Sequence, residues 1–331
     1  MRRPLVLGLT LLVGVPTAAA DLPDDWAFRP VRKSDVPAAN KSAQTPIDAF
    51  LLRQLDAKEL QFTPPADRAT LLRRVTFDLT GLPPTVADLS AFLADESPRA
   101  FERIVDRLLA SPAYGERQAL PWLDAVRFAE TDGFKADDRR PHAWRYRDYV
   151  IDSFNADKPF DQFIREQLAG DELYPDDSNA LIATAFLRHY PDEYNAVNLE
   201  QRRQEILNDV TDTTAQAFLG ITLGCARCHD HKFDPITQED YYRIQAFFAG
   251  WKEVEVPIMP AEARRKHEAE LNAWEVKTAD VRRELDAIER PHREKFSQKR
   301  RGRFPDEYAK LLDIPPDRRT PLEQQIAAMV A

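Results

Sequence analysis

The chain of 331 residues holds only 2 cysteines and only 10 glycines. Two cysteines exclude the disulfide-dense scaffolds of small secreted domains. So few glycines, set against 25 prolines, argue against an all-β fold turned by glycine and suit many short helices opened at proline. Positive charge is also in deficit, with 46 Lys and Arg against 55 Asp and Glu. A globally acidic chain is poorly matched to phosphate backbones, so no nucleic-acid partner is expected. The dense basic stretch Lys299-Arg300-Arg301-Gly302-Arg303 is short and reads as a solvated helix end. Missing too are a Ser-His-Asp order, a phosphate loop, a paired-carboxylate motif and a His-Glu-x-x-His run. A hydrolase reading therefore has no residues to point to, and whether the chain is an enzyme stays open.

One apolar run stands at the N-terminus. Arg2 and Arg3 precede the stretch from Leu5 to Val15, and Ala18-Ala19-Ala20 follows it. This is the pattern of a secretory signal peptide over residues 1–20, and the run is too short for a span of about 20 residues. Export to the periplasm or cell surface is expected, with no transmembrane anchor left after cleavage. The remaining chain would carry 44 basic and 55 acidic residues, a net charge of −11. Residues 21–44 read as an extended leader.

Helical punctuation then becomes regular. Thr45-Pro46 and Ser111-Pro112 give N-cap plus first-turn proline, as does Ser97-Pro98. Gly81 stands at a helix end before Pro83-Pro84, and Thr237 with Asp240 resembles a capping box. Ile47, Phe50, Leu51 and Leu55 form one apolar stripe; Ile206, Val210, Thr213 and Ala217 lie along a longer run over 198–219. Residues 131–143 read as an exposed loop. Alternating strand-type runs are missing almost everywhere, so the expected fold is mainly α: a multi-helix globular domain over 45–255. A charged helical extension follows over 256–331. Within 262–290, Leu271, Trp274, Thr278, Val281, Leu285 and Ile288 keep a spacing of three and four, a short heptad seam expected to end at Pro291. Self-association through that seam and a hairpin packed on the body are both open.

The two cysteines fall in Cys225-Ala226-Arg227-Cys228-His229. Thiols one helical turn apart can each add to a haem vinyl group, and the following His can reach the iron. The expectation is one covalent haem c per chain, attached at Cys225 and Cys228 with His229 as axial ligand. It would serve electron transfer or a haem-supported redox reaction with a redox partner protein. Met259, in the apolar loop Val256-Pro257-Ile258-Met259-Pro260, is the sixth ligand favoured over His142, His189 and His267. Three alternatives share the motif: a Cys225–Cys228 disulfide stapling a structural or binding module, a redox pair without the βαβ setting it usually has, and a metal site lacking an obvious fourth donor. Asp230-His231-Lys232-Phe233-Asp234-Pro235 reads as a tight polar turn.

Phe77-Asp78-Leu79-Thr80-Gly81-Leu82-Pro83-Pro84, Trp122-Leu123-Asp124, Gln167-Leu168-Ala169-Gly170-Asp171 and the run from Gly224 to Pro235, taken in order, resemble a planctomycete family of secreted, cytochrome-c-like proteins of unknown function (PSCyt2-type). Trp26-Ala27-Phe28-Arg29-Pro30 resembles the lead-in before that domain. The resemblance covers roughly 45–255 and implies a cytochrome-type protein. The family's larger members place a further haem-binding domain in front and a second uncharacterised domain behind.

Overall fold

The structure, a computed structural model, describes residues 29–38, 43–134, 137–193, 196, 198–259 and 261–330. The signal pattern over 1–20 and most of the lead-in Trp26–Pro30 lie outside these. The described residues form a mainly α fold of fourteen α-helices, and the only β pairing among them is an isolated bridge between Thr131 and Arg139.

Helix starts follow the local chemistry. Thr45 caps α1 (Pro46–Asp56) and Asp48 reaches back to its amide, a complete capping box. Asp67 caps α2 (Arg68–Thr80), which ends at Gly81 in the left-handed region with φ 69°. Thr85 and Asp88 form a second capping box on α3 (Val86–Ala94). The expected cap at Ser97 is not used. α4 (Ala100–Leu109) starts behind Arg99, because the Ser97 hydroxyl accepts instead from Arg103, which also pairs with Asp95. The burial of α1 differs as well: Ala49 and Leu52 face inward, while Ile47 and Leu51 are exposed. Leu72, Phe92 and Ala100 make a small core among α2, α3 and α4.

The main core lies among α5 (Pro112–Ala125), α6 (Trp144–Asn155), α7 (Phe160–Leu173), α8 (Ser178–Ala183) and α9 (Leu199–Thr214). Val126, Tyr146, Val150, Phe186 and Val210 are almost fully buried in it. Two glycines allow the helices to approach. A Cβ on Gly115 would lie 2.5 Å from the Ile151 carbonyl oxygen, and one on Gly170 would lie 2.2 Å from that of Ala180. One polar chain inside this core is paired: Trp122 Nε1 donates to the Tyr146 hydroxyl at 3.1 Å, and that hydroxyl donates to Gln167.

α9 ends in one π turn, Ala215–Leu219, closed by Gly220 with φ 65°. A 3-10 turn over Leu223–Arg227 follows, then α10 (Gln238–Phe248), opened by the Thr237–Asp240 capping box that the sequence announces. Beyond it come α11 (Ala261–Lys277), α12 (Ala279–Arg301), α13 (Asp306–Lys310) and α14 (Pro321–Val330). α12 runs through Pro291 rather than stopping there. A proline removes one amide donor, and on an exposed helix the freed carbonyl is satisfied by water. α14 returns to the body, where Ile326 and Val330 pack with Leu199 at the start of α9. No helix among the described residues is long and apolar enough to cross a membrane.

Candidate functional site

Gly224 to Asp234 forms an exposed turn pinned to a small filled core. Leu223 and Ala226 point inward, buried against Ala215 and Tyr241 with Ile221, Ile236 and Ile244 around them. The residues between are thereby turned outward: Cys225 and Cys228 are both free thiols and both exposed. Its first part, Leu223–Arg227, has 3-10 geometry with Cys228 as the closing cap, and in such a turn residues i and i+3 eclipse rather than offset. Gly224 lies tight against α9, since a Cβ there would stand 3.0 Å from Asp212 Oδ2.

Hydrogen bonds fix the rest of the turn. The Arg227 carbonyl accepts from Gln238 Nε2 at 3.0 Å and from the Tyr242 hydroxyl at 3.1 Å. Asp230 Oδ1 accepts the Gln238 amide at 2.8 Å. The Asp234 amide donates to His231 Nδ1 at 2.8 Å, so that nitrogen acts as an acceptor and the Asp234 carboxylate 3.3 Å away forms no ion pair with it. His231's own amide donates to the Ile236 carbonyl. Asp230 through Asp234 is thus a local polar turn, in which the Asp230 and His231 side chains are spent on backbone groups.

The charges behind the thiols are perturbed. Burial pushes the Asp212 carboxyl above its ordinary range, against the opposing effects of a Tyr241 hydrogen bond and the Arg227 charge. Its Oδ1 is buried without a hydrogen-bond partner, as a protonated acid tolerates better than a carboxylate. Partial burial disfavours the Arg227 charge, but the Cys228 side chain, Tyr241 and Asp212 raise the guanidinium overall.

A haem does not fit this arrangement. Thioether attachment presses a large apolar ring against its motif, and the protein must supply an apolar pocket and an axial nitrogen beneath it. The apolar side chains next to the motif are already consumed in the filled core around Tyr241. His229 is exposed, with Nδ1 held 2.7 Å from the Asp230 carbonyl oxygen. Met259 lies half-buried in the irregular 251–259 stretch past α10, outside the contacts that build the turn. No group of three or more His, Cys, Asp or Glu among the described residues converges as metal donors. Two clefts stand out, and both are elsewhere: one of about 500 Å³ between α12 and α14, the other along Tyr174–Asn179. The expected haem-based electron transfer through Cys225, Cys228 and His229 is overturned on these grounds.

A second polar site was hidden from the sequence. The 131–143 stretch is not simply an exposed loop, because Asp132 is buried and accepts from both Arg140 and Arg188, at 2.6 and 2.8 Å. Those guanidinium groups hold the Asp132 carboxyl below its ordinary range although burial opposes its charge. Arg188 also meets Glu253 at 2.6 Å, and Asp192 receives a two-pronged pair from Arg202 at 2.8 and 2.7 Å. His189 sits in the midst of this, packed edge-on against Phe128 and Tyr146. Burial, together with the charges of Arg127, Arg140 and Arg188, drives its pKa down to about 3. The acids and bases balance inside the network, which has the character of a structural lock.

The fold and site together define an all-helical domain that carries an exposed dithiol turn on a filled apolar core. Residues 46–253 match the family PSCyt2, described as a protein of unknown function (DUF1549), and the chain belongs to that family. No curated protein and no solved structure matches it.

Proposed function

We propose that this chain is an exported structural module in which Cys225 and Cys228 close a local disulfide that staples the Gly224–Asp234 turn. The observation that carries the reading is the placement of two free, exposed thiols at one 3-10 turn, Cys225 inside Leu223–Arg227 and Cys228 at the cap that closes it. At a rise of about 2 Å per residue, eclipsed residues three apart have Cα atoms roughly 6 Å apart, inside the spacing a disulfide accepts. The signal pattern of residues 1–20 supports export to the periplasm or cell surface, where disulfides persist. The ordered blocks from Phe77 to Pro235 support a planctomycete source.

Closure is a thiol–disulfide exchange. The Cys225 and Cys228 thiols together lose two protons and two electrons, an S–S bond forms between them, and a disulfide of another thiol compound is reduced to two thiols. The test is the intact mass of protein exported into an oxidising compartment and purified without reductant. A mass two hydrogens lighter than the same sample after reduction is expected, with the difference abolished in Cys225→Ser/Cys228→Ser. Both thiols open to alkylation before any reduction would overturn the reading.

A further inference from the structure

α11 and α12 meet with one residue between them. The Thr278 amide donates to the Trp274 carbonyl, and the Thr278 carbonyl accepts from the Arg282 amide, both at 2.9 Å. Along this segment Leu271, Trp274, Thr278, Val281, Leu285 and Ile288 follow heptad spacing, Thr278 being the polar member. Neither helix covers the other's stripe and the body covers neither: the five apolar side chains remain 43–69% exposed. An apolar stripe of this length on a charged helix is the signature of a surface that meets another helix.

The charges beside the stripe identify the partner as the same segment running the other way. Placing Leu271 and Leu285 at a positions and Trp274, Val281 and Ile288 at d positions puts Glu275, Arg282 and Glu289 at e and Glu270, Lys277 and Glu284 at g. In a parallel, in-register pair of copies Glu270 would face Glu275, Lys277 would face Arg282 and Glu284 would face Glu289. All three contacts join like charges, and e/g repulsion of this kind rules out that orientation.

Reversing one copy changes every pairing. Leu271 then meets Ile288, Trp274 meets Leu285 and Thr278 meets Val281 across a two-fold axis between Ala279 and Asp280, so four of the five apolar positions face another apolar one and the polar Thr278 lies next to the axis. Lys277 faces Glu284, and Glu275 faces Arg282, which already meet at 3.0 Å within one chain. Symmetry makes each favourable pair occur twice. The like-charged contact, Glu268 with Glu289, falls at the outer end, where Arg293 stands 3.7 Å from Glu289 and offsets it. α11 of one copy lies along α12 of the other, so the match does not depend on the angle at Thr278.

We infer that the partner of this stripe is a second copy of the chain, held as an antiparallel dimer through α11 and α12. This is independent of the thiol turn. Sedimentation equilibrium of the full chain over a wide dilution series tests it, with Lys277→Glu, Lys277→Glu/Glu284→Lys and Leu285→Asp as variants. All three positions are solvent-facing helix surface, and circular dichroism checks that helicity is kept. Expected are a concentration-dependent dimer, dissociation constants raised about tenfold by Lys277→Glu, recovery in the charge-swapped double variant, and loss of the dimer with Leu285→Asp. A chain that stays monomeric throughout overturns the inference, as does a dimer indifferent to Leu285→Asp. So does a dimer strengthened by Lys277→Glu, because the new Glu would face Arg282 only in the parallel arrangement.

Discussion

At the scale of single residues, the positions that matter most are those whose surroundings come from distant parts of the chain. His189 is buried beside Phe128 and Tyr146, and one ring nitrogen has no partner while the other bonds the Val126 carbonyl. Its depressed pKa gives a definite sign. The imidazole is neutral in the folded protein down to about pH 3, whereas in the unfolded chain it takes up a proton below roughly 6.5. Folding therefore excludes a proton over that window, and stability falls as pH drops through it, by at most about 1.4 kcal/mol per pH unit from this group. His189→Gln keeps a donor for Val126 and removes the titration. Urea midpoints measured from neutral to acid pH should fall less steeply in that variant than in the parent. The five residues Cys225–His229 teach the opposite lesson about legibility. Their spacing is local and was fully visible in the sequence, but a haem site also needs a pocket, and the pocket depends on how Leu223, Ala226 and Tyr241 pack. A contiguous motif carries no information about that packing.

At the scale of elements, the fold was legible wherever the determining chemistry is local. The capping boxes at Thr45 and Thr237, the left-handed Gly81 and the Ser111-Pro112 start all form as their residue types require. Ser97 fails because a distant competitor, Arg103, takes its hydroxyl. The end of α10 is another feature that no local pattern announces. Arg203, on α9, is buried with no carboxylate partner among the described residues. It donates instead to the carbonyls of Phe248, Ala249 and Trp251, at 3.2, 3.2 and 2.8 Å. A guanidinium at a helix C-terminus satisfies carbonyls that lack intrahelical donors and complements the helix dipole. Burial lowers its pKa to about 10, so the charge is retained at neutral pH. Arg203→Met should cost roughly 1–2 kcal/mol, because each carbonyl loses its charge-assisted donor and keeps one other, the Trp251 amide on Phe248 and Gln325 on Ala249 and Trp251. Thermal unfolding followed by circular dichroism measures it, and an unchanged midpoint would show that those remaining donors suffice.

At the scale of the whole molecule, four apolar cores and one ion-pair network hold the described residues together. A main core joins α5 to α9, two smaller cores carry the dithiol turn and the α2–α4 layer, and a fourth fastens α14 to the start of α9. The ion-pair network of Asp132, Arg140, Arg188, Asp192, Arg202 and Glu253 ties together segments more than a hundred residues apart. Composition announced helices and surface charge; it did not announce which charges are spent inside, since an Asp in a loop reads the same whether or not two arginines reach it.

Gln325 of α14 donates to the same Ala249 and Trp251 carbonyls that Arg203 holds, at 2.8 and 2.9 Å, while the long α11–α12 excursion between them stays open to solvent. Proteolytic nicking concentrates in exposed segments, trypsin cuts after Lys and Arg, and this excursion is rich in both. Dilute trypsin should therefore nick the monomer between Arg264 and Arg303 first. The C-terminal fragment should then travel with the body in native electrophoresis and leave it only in detergent, as a non-covalent subunit made from one polypeptide.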